Sequence, residues 1–184
     1  MTAGTSARRS WIAVAIVAAL LGAGTWLLVR FTAPAEGVQV GQRIPDYKVM
    51  RVATGDSIGL RTTYAGHVTL INIWATWCHP CLREMPSLER LYHQFGPRGF
   101  RVAAVSIDAT DSAPVLAFAQ RLGLSFDVLQ DRSGKIQSAY QTIGVPTSLV
   151  IDSRGRIAYI TLGANDWDSH DDVERIDRLL AGVR

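Results

Sequence analysis

Cysteine is scarce in this chain of 184 residues: there are two, Cys78 and Cys81, in a single C-x-x-C. Two cysteines so close together cannot staple a small secreted fold, and no third thiol is present to mispair with them. Surplus charge is also lacking. Nineteen Lys and Arg stand against sixteen Asp and Glu for a net +3, but Arg8, Arg9 and Arg30 all precede residue 36, which leaves sixteen of each sign in residues 36–184. A nucleic-acid reader needs an excess of cations over its own anions, so this balance excludes that class. No strand leads into G-x-G-x-x-G, nothing is present to cradle a dinucleotide, and no cofactor is expected. Internal repeats are absent. The length suits one compact domain with an appendage.

What is present begins with an uncharged N-terminal run. Residues 11–29 (WIAVAIVAALLGAGTWLLV) contain no charged side chain, and nineteen residues of helix approach the ~30 Å hydrocarbon thickness of a bilayer. Trp11 and Trp26 lie near its ends, and Arg8 and Arg9 precede it. The expectation is a transmembrane signal-anchor over residues 11–29, with residues 1–10 cytoplasmic and the rest outside, on the periplasmic side. A cleaved signal peptide is the alternative, since Ala33-Pro34-Ala35 resembles a cleavage site. Residues 30–43, with Thr, Ala, Pro, Gly and Gln, read as a linker, and the folded domain is expected over residues 44–184.

Hydrophobic periodicity orders that domain. Residues 47–52 and 57–60 read as a hairpin around Thr54-Gly55-Asp56. Residues 67–74 (HVTLINIW) are apolar on nearly every position and β-branched, the pattern of a strand covered on both faces. Apolar positions from 79 to 95 recur at three and four residues, which predicts a helix kinked at Pro86. A strand over 100–108, a helix over 113–122, a strand over 126–130 and a helix over 135–142 follow. Residues 147–152 and 156–162 form a second hairpin, and a helix over 169–181 closes the chain. Asp166, Asp168, Asp171, Asp172 and Glu174 crowd the start of that last helix, where its dipole favours anions; a metal cluster is the sharper alternative. Alternating strands and helices make the class α/β.

The cysteines fall in WCHPC, residues 77–81, after the best strand and at the start of the best helix, where a C-x-x-C means redox chemistry. At a helix N-terminus, unpaired N–H groups and the dipole stabilise a thiolate, so Cys78 is the expected nucleophile. Cys81, three residues on, is placed to resolve a mixed disulfide. Haem attachment would need His after Cys81, where Leu82 stands, and zinc would need two further ligands, whereas His67, His93 and His170 are scattered. Copper(I) held by the two thiolates and His79 remains an alternative, as a delivery protein. More simply, His79 tunes the thiolate and the potential, with Pro80 beside it; a merely solvent-exposed imidazole is the equal alternative. Trp77 reads as an exposed apolar rim and Trp74 as core.

The strand-W-C-x-P-C-helix segment, Pro86 within the helix, and Gly144-Val145-Pro146-Thr147 before a hairpin together resemble the thioredoxin superfamily. More narrowly, LINIWATWCHPCLREMPSLERL is similar to the membrane-anchored TlpA/ResA-like thiol-disulfide oxidoreductases of the cytochrome c maturation type. The resemblance implies a thioredoxin fold, a central mixed β-sheet flanked by helices, with an N-terminal β-hairpin and a central helix–strand insertion around residues 113–130. It implies a cis bond before Pro146, opposite the cysteines, where the backbone of Val145 would receive an extended substrate, with Thr147 beside it. Plain thioredoxins carry a buried Asp where Asn72 stands, and Glu84 matches the Glu of C-x-P-C-x-x-E-x-P; proton transfer with Cys81 falls to it. A surface Glu84 paired with Arg83 or Arg90 is the alternative. The resemblance further implies exported protein substrates, such as apocytochrome c or copper-site cysteines, a reductive direction marked by Pro80, and a membrane-embedded electron donor. A thiol peroxidase on the same fold is the rival enzyme, which the C-x-x-C argues against.

Overall fold

The structure, a computed structural model, describes residues 4–31 and 38–182. The chain divides into two units, residues 1–37 and residues 38–184. The first is a helix, α1 (Gly4–Phe31). Among the described residues no helix is long and apolar enough to cross a membrane. This overturns the transmembrane signal-anchor over residues 11–29, and with it the cytoplasmic residues 1–10, the single-pass topology and the membrane as a partner. Absence of charge is not the same as apolarity: Gly22, Gly24 and Thr25 interrupt the run. The continuous aliphatic stretch, residues 12–21, spans only about 15 Å as a helix, half of a hydrocarbon core. Residues 32–37 of the expected linker, and Ala33-Pro34-Ala35 within them, lie outside the described residues.

The second unit is built on a seven-stranded mixed sheet in the order β2-β1-β5-β4-β3-β6-β7. β1 (Lys48–Arg51) and β2 (Ser57–Gly59) form the expected hairpin. β3 (Thr69–Trp74) is buried at every position, as its nearly continuous apolar sequence demands of a central strand. It pairs in parallel with β4 (Arg101–Ser106) and antiparallel with β6 (Thr147–Ile151). β5 (Asp127–Gln130) joins β4 in parallel and receives β1 antiparallel. β7 (Ile157–Leu162) closes the far edge on β6. Because side chains alternate along β3, Leu70 and Trp74 enter one core and Ile71 and Ile73 the other. The first core lies under α3 (His79–Phe95), α4 (Ser112–Arg121) and α6 (His170–Leu180), with Met85, Leu88, Phe118 and Ile176 packed on Trp74 and its neighbours. The second gathers Leu60 of α2 (Leu60–Thr63) and Ile136 of α5 (Ile136–Ala139) with Ile44, Tyr64 and Tyr140.

Helix α3 runs through Pro86 without a break. α5 is only one turn, shorter than the predicted residues 135–142, because Gln141 takes a positive φ of 49° and ends the helical path. The short α2 was not anticipated; it turns the chain from β2 toward β3, its first turn held by Asp46, which accepts from the N–H groups of Arg61 and Thr62 at 2.9 and 3.1 Å.

Candidate active site

Cys78 and Cys81 are joined by a disulfide, with their Cα atoms 5.3 Å apart. β3 ends at Trp74, the chain turns through residues 75–77, and α3 begins at His79 with Cys78 as its N-cap. The cap is the sulfur itself: Cys78 Sγ accepts from the Cys81 N–H at 3.2 Å. Pro80 stands in the first turn, where its missing N–H costs nothing. On reduction, the Cys81 N–H and the positive end of a seventeen-residue helix face the Cys78 sulfur and favour its thiolate. Cys78 retains 4% exposure, Cys81 none.

The turn that presents Cys78 is held from the neighbouring strand. Asp108, buried just past β4, accepts from the Thr76 N–H at 2.9 Å and from the Thr76 hydroxyl at 2.7 Å. Ser106 donates to the same carboxylate, and Gln130 donates to the Asp108 carbonyl. From its place at a strand end alone, Asp108 reads as a turn or cap residue. Register was the signal that could have found it: Trp74 pairs with Ser106 in parallel, so residues two beyond each, Thr76 and Asp108, are level.

Glu84 is buried, 1% exposed, which rules out the surface ion pair with Arg83 or Arg90. It lies one helical turn after Cys81 on the inward face of α3. Its carboxylate accepts from the Asn72 amide at 2.7 Å and from the Asn165 N–H at 3.1 Å. Burial pushes its pKa up to about 7, against the opposing pull of those hydrogen bonds. Asn72 also donates to Ser148 on β6, so the position that cannot itself exchange a proton orients the carboxyl that can. Asn165, contributed by the loop before α6, carried no signal in the sequence.

The Val145–Pro146 bond is cis. Val145 packs against the cluster that contains both cysteines. Thr147, paired with Ile73 beside the end of β3, is buried and donates its hydroxyl to the Gly144 carbonyl at 2.8 Å. Trp77 is 63% exposed and His79 is exposed, while Trp74 is core. Two further apolar side chains stand in solvent on this rim, Ile143 just before the cis bond and Leu162 opposite Thr147. The acidic residues at the start of α6 already have partners: Asp168 pairs with Arg90 of α3, and Asp172 accepts from Asn165 and Ser169. Among the described residues no group of three or more His, Cys, Asp or Glu is arranged to hold a metal.

A mixed sheet with this strand order, a C-x-x-C disulfide capping the helix after the central strand, and a cis-proline before the antiparallel hairpin define a thioredoxin-fold dithiol–disulfide protein. The AhpC/TSA family model matches residues 40–160. The chain is 33% identical over 162 residues to the thiol-disulfide oxidoreductase ResA of Geobacillus kaustophilus, covering 88% of this chain and 90% of that one. It is 32% identical over 158 residues to the thioredoxin-like protein YneN of Bacillus subtilis, covering 84% and 91%. The thioredoxin domain of a thiol-disulfide oxidoreductase of Bacteroides vulgatus superposes with a TM-score of 0.68 over 78% of this chain and 99% of that one, at 19% identity, a likeness of fold. The chain belongs to the AhpC/TSA family and, within the thioredoxin-like proteins, to the ResA thiol-disulfide oxidoreductases. The resemblance read from the sequence therefore stands for family and activity, and is corrected for the membrane anchor.

Proposed function

We propose that the reduced protein transfers two electrons to disulfides of exported proteins, by attack from Cys78 and resolution by Cys81. The Cys78 thiolate displaces one substrate sulfur as a thiolate and forms a mixed disulfide. The Glu84 carboxylate takes the Cys81 proton, the Cys81 thiolate attacks Cys78 Sγ, the second substrate thiolate leaves, and the 78–81 disulfide remains. Glu84 passes its proton on to the departing thiolate or to water. Trp77, the Val145 backbone and Pro146 form the surface on which an extended substrate segment lies, with the enclosed Thr147 holding the Gly144 carbonyl beneath it, and His79 and Pro80 tune the couple. Substrates of this kind include apocytochrome c and the cysteines of copper sites, which need free thiols before loading. A separate dithiol protein returns the electrons.

The observation that carries this reading is the asymmetry around one helix turn. Cys78 is the capped sulfur with residual exposure, while Cys81 is enclosed, with a carboxyl of near-neutral pKa one turn away. Cys81→Ser is expected to accumulate a mixed disulfide through Cys78, and Cys78→Ser to accumulate little. Equal trapping by both variants, resolved on non-reducing gels against a disulfide-bonded substrate protein, would sink the division of roles.

A further inference from the structure

We propose that the pocket between the β6–β7 turn and the start of α2 is a binding site for a phosphate-type oxyanion, separate from the redox centre. Its lining includes Arg43, Arg61, Thr62, Ser153, Arg154 and Gly155, around a volume of about 260 Å³. Drug-sized ligands occupy roughly 300–1,000 Å³, so this one suits a single compact group. Arg43 and Arg61 are brought side by side by the turn. Gly155 adopts a positive φ of 75°, and the Cγ atoms of Arg61 and Arg43 lie 3.6 and 3.9 Å from where its Cβ would be, so both stems pack over the bare glycine. The isolated bridge between Arg43 and Arg156 fixes the segment that carries Arg43 against the turn.

Three exposed arginines around one pocket make a concentrated positive patch. Arg51, Arg90, Arg98 and Arg132 each pair with a carboxylate elsewhere in the molecule, but Arg43, Arg61 and Arg154 form no ion pair among the described residues. The two nearby carboxylates accept from backbone N–H groups, and two anions against three guanidinium groups leave the pocket positive. Asp46 accepts from the N–H groups of Arg61 and Thr62, and Asp152 from those of Arg154 and Arg156. The planar, permanently charged arginine fork matches the tetrahedral oxyanion of a phosphate ester in bidentate fashion, and the Ser153 hydroxyl supplies a further donor, the Thr62 hydroxyl being held by the Gly59 carbonyl. The site is remote from the cysteines: the turn adjoins the β3 end where Ile151 pairs with Thr69, and Cys78 follows the opposite end, about 17 Å of strand away.

A phosphate group of this kind comes either from a soluble phosphate compound or from an anionic lipid surface. The full chain is titrated calorimetrically with pyrophosphate, and separately mixed with phosphatidylcholine vesicles with and without phosphatidylglycerol. The proteins compared are the wild type, the triple variant Arg43→Gln, Arg61→Gln, Arg154→Gln, and the charge control Lys48→Gln. Saturable pyrophosphate binding, at least tenfold weaker in the triple variant and unchanged in the control, is the expected result and marks a soluble ligand. If pyrophosphate does not bind, but phosphatidylglycerol raises vesicle binding by an increment that only the triple variant loses, the lipid is the source. The increment discounts uncharged adsorption. Disulfide exchange in the triple variant, expected at the wild-type rate, verifies its fold. No saturable binding to either probe, or equal binding by the wild type and the triple variant, overturns the site.

Discussion

Glu84 shows how one side chain links folding to chemistry. Removed from water, its carboxyl has a pKa pushed up to about 7 from an ordinary 4.5, so near neutral pH it is divided between the form that accepts a proton and the form that returns one. A group whose folded pKa is raised contributes stability that is full below its unfolded value and is lost as pH rises through the folded one. The oxidised protein is therefore expected to lose up to roughly 3 kcal/mol through this group between about pH 4.5 and pH 8. Glu84→Gln should flatten that fall, read from urea unfolding at several pH values. It should also remove an inflection near pH 7 from the rate of mixed-disulfide resolution; a variant that keeps both would show that the carboxyl is not the titrating group. Helical spacing, three residues being one turn, together with the match to C-x-P-C-x-x-E-x-P, pointed to Glu84 beside Cys81. Its burial and its bonds to Asn72 and Asn165 were not legible, since two of the three residues come from distant parts of the chain. Thr147 shows the converse: its motif suggested a surface role, but strand pairing on both sides encloses it.

Among the elements, α3 was the most legible, with apolar residues recurring at three and four from 79 to 95 and the observed helix spanning His79–Phe95. The pattern wins over Pro86 because the inward face, with Met85, Leu88, Leu91 and Phe95, is fully packed. Pro86 itself is exposed, and it denies the Leu82 carbonyl its N–H partner. Pro86→Ala should thus stabilise the domain by about 1–2 kcal/mol, the regained helical bond being partly offset by the freer unfolded chain. The midpoint of denaturant unfolding measures it, and a destabilised variant would mean that the proline ring contributes packing. Short elements were less legible: α5 stops where Gln141 turns left-handed, and nothing in LRTT announces α2. The N-terminal run misled for another reason, since counting charge ignored the glycines and threonine that thin its apolar surface.

For the molecule as a whole, both cores are drawn from residues of the second unit. A fragment comprising residues 38–184 should therefore fold cooperatively, with a single urea transition and an intact 78–81 disulfide. A broad or multistep transition would count against that unit as a self-sufficient domain. The sheet that organises these cores also imposes a timetable on a chain made from its N-terminus. The β1–β2 hairpin finds its neighbour only when Leu129 and Gln130 have been synthesised, and β3 stays open along one edge until Thr147 to Ile151 have emerged. The two cysteines lie three residues apart, so no later strand is needed to bring them together. A growing chain thus carries both halves of its redox pair on an unfinished scaffold, with the bare edge of a largely apolar strand as its most vulnerable surface.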